Sequence, residues 1–210
     1  MGVMPATYYK ATDVEARSWG NAQIVWKVGR IVRDPADEQG WPTKRLCERG
    51  LLHAATVATE AMVSHATLAW PCRLFAVEAR GTLVTSSDNP HKVGCRAWKV
   101  TAELEAHEVF GPQGVEVVAL IERASRLTDD EVSRLHTAWN AAWYAAWNAA
   151  EYAARDAAWN DASDAAGYAA AHAAGNAAGD AARALVVRDL TTAEQFELLY
   201  GPWGSVCGGS

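Results

Sequence analysis

"HTAWNAAWYAAWNAAEYAARDAAWNDASDAAGYAAAHAAGNAAGDAARAL" (His136–Leu185) repeats Ala-Ala-x-y with a phase that never slips, and from Trp139 to Arg183 only Asp161 intrudes where Ala is expected. The first variable position reads Trp139, Trp143, Trp147, Glu151, Arg155, Trp159, Ser163, Gly167, Ala171, Gly175, Gly179 and Arg183. The second carries Asn140, Tyr144, Asn148, Tyr152, Asp156, Asn160, Asp164, Tyr168, His172, Asn176 and Asp180. Alanine is the best helix former, and β-branched residues are absent from Trp139 to Leu185, so the tract reads as helix. "LTDDEVSRL" starts it with a capping box, Thr128 as N-cap and Glu131 three residues on.

A period of four is not the helical period. Equivalent positions drift by about 40° per repeat, so the alanines trace a right-handed spiral. As one rod the tract would reach about 70 Å, longer than a compact domain of the other residues. It therefore projects and packs along alanine with a copy of itself, or it breaks and folds back. Ser163, Asp164 and Gly167 mark Asn160–Gly167 as a place for a break, whereas the unbroken phase favours one register. In either case the alanine faces are the expected buried contacts, Ala149 and Ala153 among them.

Such a helix is usually a spacer or an assembly surface. A sharper reading takes Trp139, Trp143 and Trp147, spaced i, i+4, as an aromatic ladder for a partner, with Tyr144 and Trp159 in the same tract. The alternative is that these tryptophans pack on the N-terminal domain.

The 210 residues carry a net charge of −6, unevenly placed. Thr128 to Ser210 holds four Arg, no Lys and eleven Asp/Glu, a charge of −7. That half is a poor binder of nucleic-acid phosphate. No apolar run approaches a membrane span, and the N-terminus does not resemble a signal peptide. Soluble protein in a host cytoplasm or attached to a virion is the expectation, with self or another protein as partner and neither nucleic acid nor membrane. Four scattered cysteines, Cys47, Cys72, Cys95 and Cys207, do not make a disulfide framework.

Residues 1–127 have the texture of a small α/β head. Ala6–Thr12, Ala22–Arg33, Arg73–Val84 and Val93–Phe110 read as strands, Asp34–Pro42 as a loop and Thr56–Trp70 as a helix stopped by Pro71. "GPQGVEVVALIERASRL" continues as a helix, or as a strand and helix. The fold class is α+β: a small mixed-sheet head over 1–127, a long Ala-rich α-helix over 128–188, continuous or broken into a hairpin, and a closing segment over 189–210.

The motifs "YYKATD", "VWKVGRIV", "LCERGLLHA", "FAVEARGTL" and "HKVGCRAWKVTAEL" resemble an uncharacterised domain family of bacteriophages and some bacteria. Its pattern has a Tyr-Lys start, a Val-Gly strand, a Cys-x-x-Gly-x-x-His segment and a Val-Glu-Ala-x-Gly strand. Members are often followed by Ala-rich tetrads and a Pro-Trp closing motif, matched by "AEQFELLYGPWGSV" (Ala193–Val206). The resemblance implies a phage origin and brings no activity. Where the family often has a second Cys two residues after the His, this chain has Ala55, which weakens a metal site at Cys47 and His53. No C-x-x-C pair occurs, and neither metal nor cofactor is expected.

The order Tyr-Lys strand, Gly-Leu-x-His segment opening a helix, and strand with Glu78 is also similar to ADP-ribosyltransferase folds. That resemblance implies Tyr8 or Tyr9 stacking on nicotinamide, His53 orienting a ribose, and Glu78, Glu103 or Glu105 as the carboxylate. Tyr8, Tyr9, Lys10, His53 and Glu78 are thus the candidate head site, with no residue assigned as catalytic. No G-x-S-x-G elbow is present. The expected function is a phage-type accessory or interaction protein, with an NAD-using enzyme as the alternative.

Overall fold

The computed structural model describes residues 6–19, 21–35, 46, 50–62, 70–146 and 161–208, apart from the side chains of 143–146 and 161–162. The chain divides into two compact units, Met1–His65 with Ala69–Val109, and Ala66–Leu68 with Phe110–Ser210.

The head unit contains β1 (Tyr8–Thr12), β2 (Arg17–Ser18), β3 (Asn21–Val25), β4 (Ile31–Arg33), β5 (Leu52–Ala55), β6 (Arg73–Ala79), β7 (Val84–Thr85), β8 (Lys92–Cys95) and β9 (Ala97–Leu104). Seven strands form one sheet in the order β4-β9-β6-β1-β5-β8-β7, and β2 pairs with β3 as a separate hairpin. Every described pairing is antiparallel. The expected mixed sheet is thereby corrected: the described neighbours all run antiparallel, although within the seven-strand sheet only β7 and β8 are also consecutive in the chain.

Leu52–Ala55, expected to open a helix, is a strand between β1 and β8. Its Leu52, Ala54 and Ala55 are buried, and a short apolar run of this kind gives no periodic cue. After it only Ala58–Glu60 forms a 3-10 turn, and residues 63–69 of the expected helix lie outside the described residues.

The run read as one strand, Val93–Phe110, bends at Arg96. Its first part, β8, pairs with β5, and its second, β9, pairs with β6, on the far side of β1. In a flat sheet β8 and β9 would lie about 19 Å apart, whereas Cys95 and Ala97 are within about 7 Å because one residue joins them. The sheet must curl. The Trp98 indole Nε1 accordingly donates to the Leu52 carbonyl oxygen at 2.8 Å, tying β9 to β5 across the interior. The concave face encloses one apolar core that includes Trp26, Phe75, Val77, Trp98 and Val100.

The helical unit contains α1 (Gly114–Ala124), α2 (Asp129–Ala146), α3 (Asp161–Ala174), α4 (Asn176–Val186) and α5 (Ala193–Cys207). In α1, Val117, Leu120, Ile121 and Ala124 form the buried stripe. The capping box that opens α2 is present: the Glu131 carboxylate accepts from the Thr128 N–H at 2.8 Å, and Thr128 Oγ1 accepts from the Glu131 N–H at 3.3 Å. The Thr128 N–H, the Arg123 guanidinium and the Thr128 hydroxyl pull the Glu131 pKa down to about 2. A second box, Thr192 with Gln195, opens α5, whose Pro202 and Trp203 are buried.

The alanine tract does not form the expected long helix among the described residues. Asp161–Gly167 stays helical, and the break comes later, at Gly175, where φ is +81°. Positive φ suits glycine and ends the helix without disturbing the tetrad count, which is why unbroken phase does not mean an unbroken helix. The chain folds back about this residue. Gly179 faces Ala171 and the Gly167 carbonyl, and Arg183 lies over Gly167, so positions four and eight residues either side of Gly175 meet. Rows of small residues at i±4 are the ridges that let two helices approach closely. Helix α4 touches the four other described helices, with Ala177, Ala178, Gly179, Asp180, Ala181, Ala182, Ala184 and Leu185 buried. The alanines here are the centre of a bundle. Ala149 and Ala153 lie outside the described residues.

Candidate functional site

Strand alternation sorts the five head residues onto two faces of the sheet. Tyr8 and Lys10 share the concave face, where Tyr8 meets Trp98 edge-on with ring centroids 5.3 Å apart. Tyr9 lies opposite Ala55 and Ala76 on the other face, which also carries His53 and Glu78. The registers place His53 beside Ala11 and Glu78 beside Thr7, on opposite flanks of β1. Two strand spacings and four residues along the strand put them about 16 Å apart. One small substrate does not bridge a Tyr8, His53 and Glu78 arranged in this way. Glu78 is engaged by Arg80 at 3.0 Å, and Glu103 by both Nε and Nη2 of Arg73 at 2.7 Å.

Lys10 is the unusual member. Its ammonium stands 5.4 Å from the centre of the Trp26 ring, and its register partner on β6 is Phe75. Burial, with Lys92 as a second cation, pulls its pKa down to about 8. The folded state therefore releases this proton before the unfolded chain does. Stability from this group rises as pH climbs from about 8 towards 10.5, and the cost is fully present below 8. Cys72, pushed up to about 12 by burial, has the opposite effect on stability above pH 9, so the informative quantity is a difference between proteins. Lys10→Met is expected to be about 1 to 2 kcal/mol more stable than wild type at pH 7, with the gap closing by pH 10 in urea unfolding. A gap independent of pH would show that Lys10 keeps an ordinary pKa.

In the helical unit Trp139 is half-buried, and its Nε1 donates to Asp180 Oδ2 at 2.9 Å. Asp180, itself buried, also accepts from Arg183 at 3.1 Å, and the Arg183 guanidinium lies 5.8 Å from the Tyr168 ring centre. Trp139 is thus built into the bundle rather than standing wholly free on a ladder, because a buried carboxylate forty-one residues away needs its donor. Trp143 and Tyr144 follow on the α2 backbone, their side chains outside the description, and Trp147 and Trp159 lie outside the described residues. One turn before Trp139, His136 stacks on it at 6.4 Å. His136 also borders a hollow of about 510 Å³ between the start of α2 and the α3–α4 turn, walled by Val132, Ala173, Ala174 and Ala177. Nothing in the sequence marked this hollow, since it exists only because the tract turns at Gly175.

Among the described residues no group of three or more His, Cys, Asp or Glu is placed to hold a metal, and no helix is long and apolar enough to cross a membrane. No protein-family model, curated protein or solved structure matches the chain.

Proposed function

We propose that this is a phage-type accessory or interaction protein whose Ala-tetrad helical unit mediates self-association or docks a second protein. The observation that carries the reading is the hollow lined by small residues and bordered by His136, which stacks on Trp139. A large aromatic side chain in an apolar pocket is the usual anchor of a protein interface. Two copies can exchange such contacts reciprocally, as a two-fold interface requires. Trp143, Tyr144, Trp147 and Trp159 are the proposed knobs, and Trp139 is a framework residue of the same tract. The phage assignment rests on the motif resemblance alone.

Light scattering on the purified chain over a range of concentrations tests this. The expected result is an oligomer that loosens at least tenfold in Ser133→Trp, which fills the hollow from an exposed position, and in the Trp143→Ala, Trp147→Ala double variant. A species of 22.6 kDa at every concentration would remove self-association and leave only docking of a second protein. Nicotinamide release from NAD that vanishes in His53→Ala or Glu78→Gln would move the function to the head.

A further inference from the structure

β4 is an end strand of the head sheet, and no further strand hydrogen-bonds to its outer side. The ladder fixes which of its backbone groups face outward. The Arg80 N–H donates to the Ala97 carbonyl at 2.8 Å, so Ala97 and Lys99 turn their backbone groups to β6, while Trp98 and Val100 turn theirs to β4. Val100 accepts from the Gly29 N–H and donates to the Arg30 carbonyl, each at 2.9 Å, and Val32 lies opposite Trp98. Gly29, at φ +83°, makes a bulge that ends the pairing. Ile31 and Arg33 are thus left with N–H and C=O groups directed away from β9. Among the described residues no other backbone group bonds to them.

The segment that carries this edge is apolar and basic at once. Val25, Val28 and Ile31 each leave about half of their surface exposed, and Lys27, Arg30 and Arg33 are exposed among them. None of the three cations has an ion-pair partner among the described residues, nor does Lys99, opposite Ile31 on β9. We propose that the β4 edge takes up an extended, acidic segment of another protein as a further strand of the head sheet. Ile31 and Arg33 supply the main-chain bonds, and the cations select carboxylates. A second copy does not suit this edge. Two-fold pairing of β4 with itself brings the Lys27–Arg33 cations of both copies together, and like charges across a strand pair destabilise it. An acidic strand turns the same repulsion into attraction. Only head residues take part, so the role proposed for the helical unit does not bear on this docking.

The test uses the full-length protein and, as probe, a short peptide that alternates Glu with Val, with amide hydrogen exchange read by NMR. With the peptide bound, exchange at Ile31 and Arg33 is expected to slow about tenfold, while Val32, already bonded to β9, changes little. Three changes should each weaken peptide binding about tenfold: methylation of the peptide's backbone nitrogens, Lys in place of its Glu, and Ile31→Pro, which removes an outward donor where an edge strand tolerates proline. Equal binding of the methylated peptide by the wild type would overturn the proposal, since charge alone would then hold it, and that comparison does not depend on the variant folding. Equal binding of the Lys peptide would overturn it as well. So would protection of Ile31 and Arg33 by phosphatidylserine vesicles but not by the peptide, or by raising the protein concentration alone, which would assign the edge to a lipid surface or to a second copy.

Discussion

Gly179→Leu is expected to lower the stability of the helical unit by about 3 kcal/mol, a fall in Tm of about 15 °C. A Cβ at this position would stand 2.9 Å from the Ala171 Cβ and 2.9 Å from the Gly167 carbonyl oxygen. Neither group can swing aside: one is a methyl on a helix, the other belongs to the helix backbone. Alanine at 179 already collides, so the gain of about 1 kcal/mol in helix propensity from Gly179→Ala should be outweighed and the variant be less stable than wild type. Gly167→Ala is the contrasting case. Its Cβ would meet Arg183 at 2.5 Å, at the mobile end of a long side chain. Arg183 can turn away, losing its contacts with Asp180 and Tyr168, so the net change should be near zero. Chemical denaturation of the three variants decides the matter. Wild-type stability in Gly179→Leu would mean that the two helices do not fold together, and the tract would return to an extended helix with its alanine faces free for assembly.

Why the helices were legible and their arrangement was not follows from particular residues. Alanine content and the Thr128–Glu131 box are local signals, and the helix and its start are where those signals put them. The turn is different. Gly167, Gly175 and Gly179 occupy the same tetrad position, yet only Gly175 takes a positive φ, while the other two serve close approach. Sequence spacing alone assigns all three the same role. The Thr192–Gln195 box is a signal of the same local kind, carried by the pattern "TTAEQ". In the head, alternation on β1 separates Tyr8 and Lys10 from Tyr9, but which face is interior depends on how the sheet curls. That curl is set by the single residue Arg96 between β8 and β9 and by pairings with distant strands. The bond between Trp139 and Asp180 is equally non-local. It turns a residue that spacing makes a docking candidate into part of the framework.

Trp98→Ala is expected to be the most damaging single change in the head, costing about 3 to 5 kcal/mol. Its side chain is fully buried, so the loss includes both transferred area and the cavity left behind. It also strands the Leu52 carbonyl, which now accepts from the indole at 2.8 Å inside an apolar core. Trp98→Phe keeps part of the ring packing against Tyr8 while removing the donor and some ring volume, for a smaller loss of about 2 to 3 kcal/mol. Trp98 sits immediately after the bend at Arg96 and ties β9 to β5, so its indole bond helps hold the curl of the sheet. Urea unfolding of the two variants measures both contributions. If Trp98→Phe kept wild-type stability, the bond to the Leu52 carbonyl would contribute nothing to closing β9 onto β5, and the loss in Trp98→Ala would be one of packing alone.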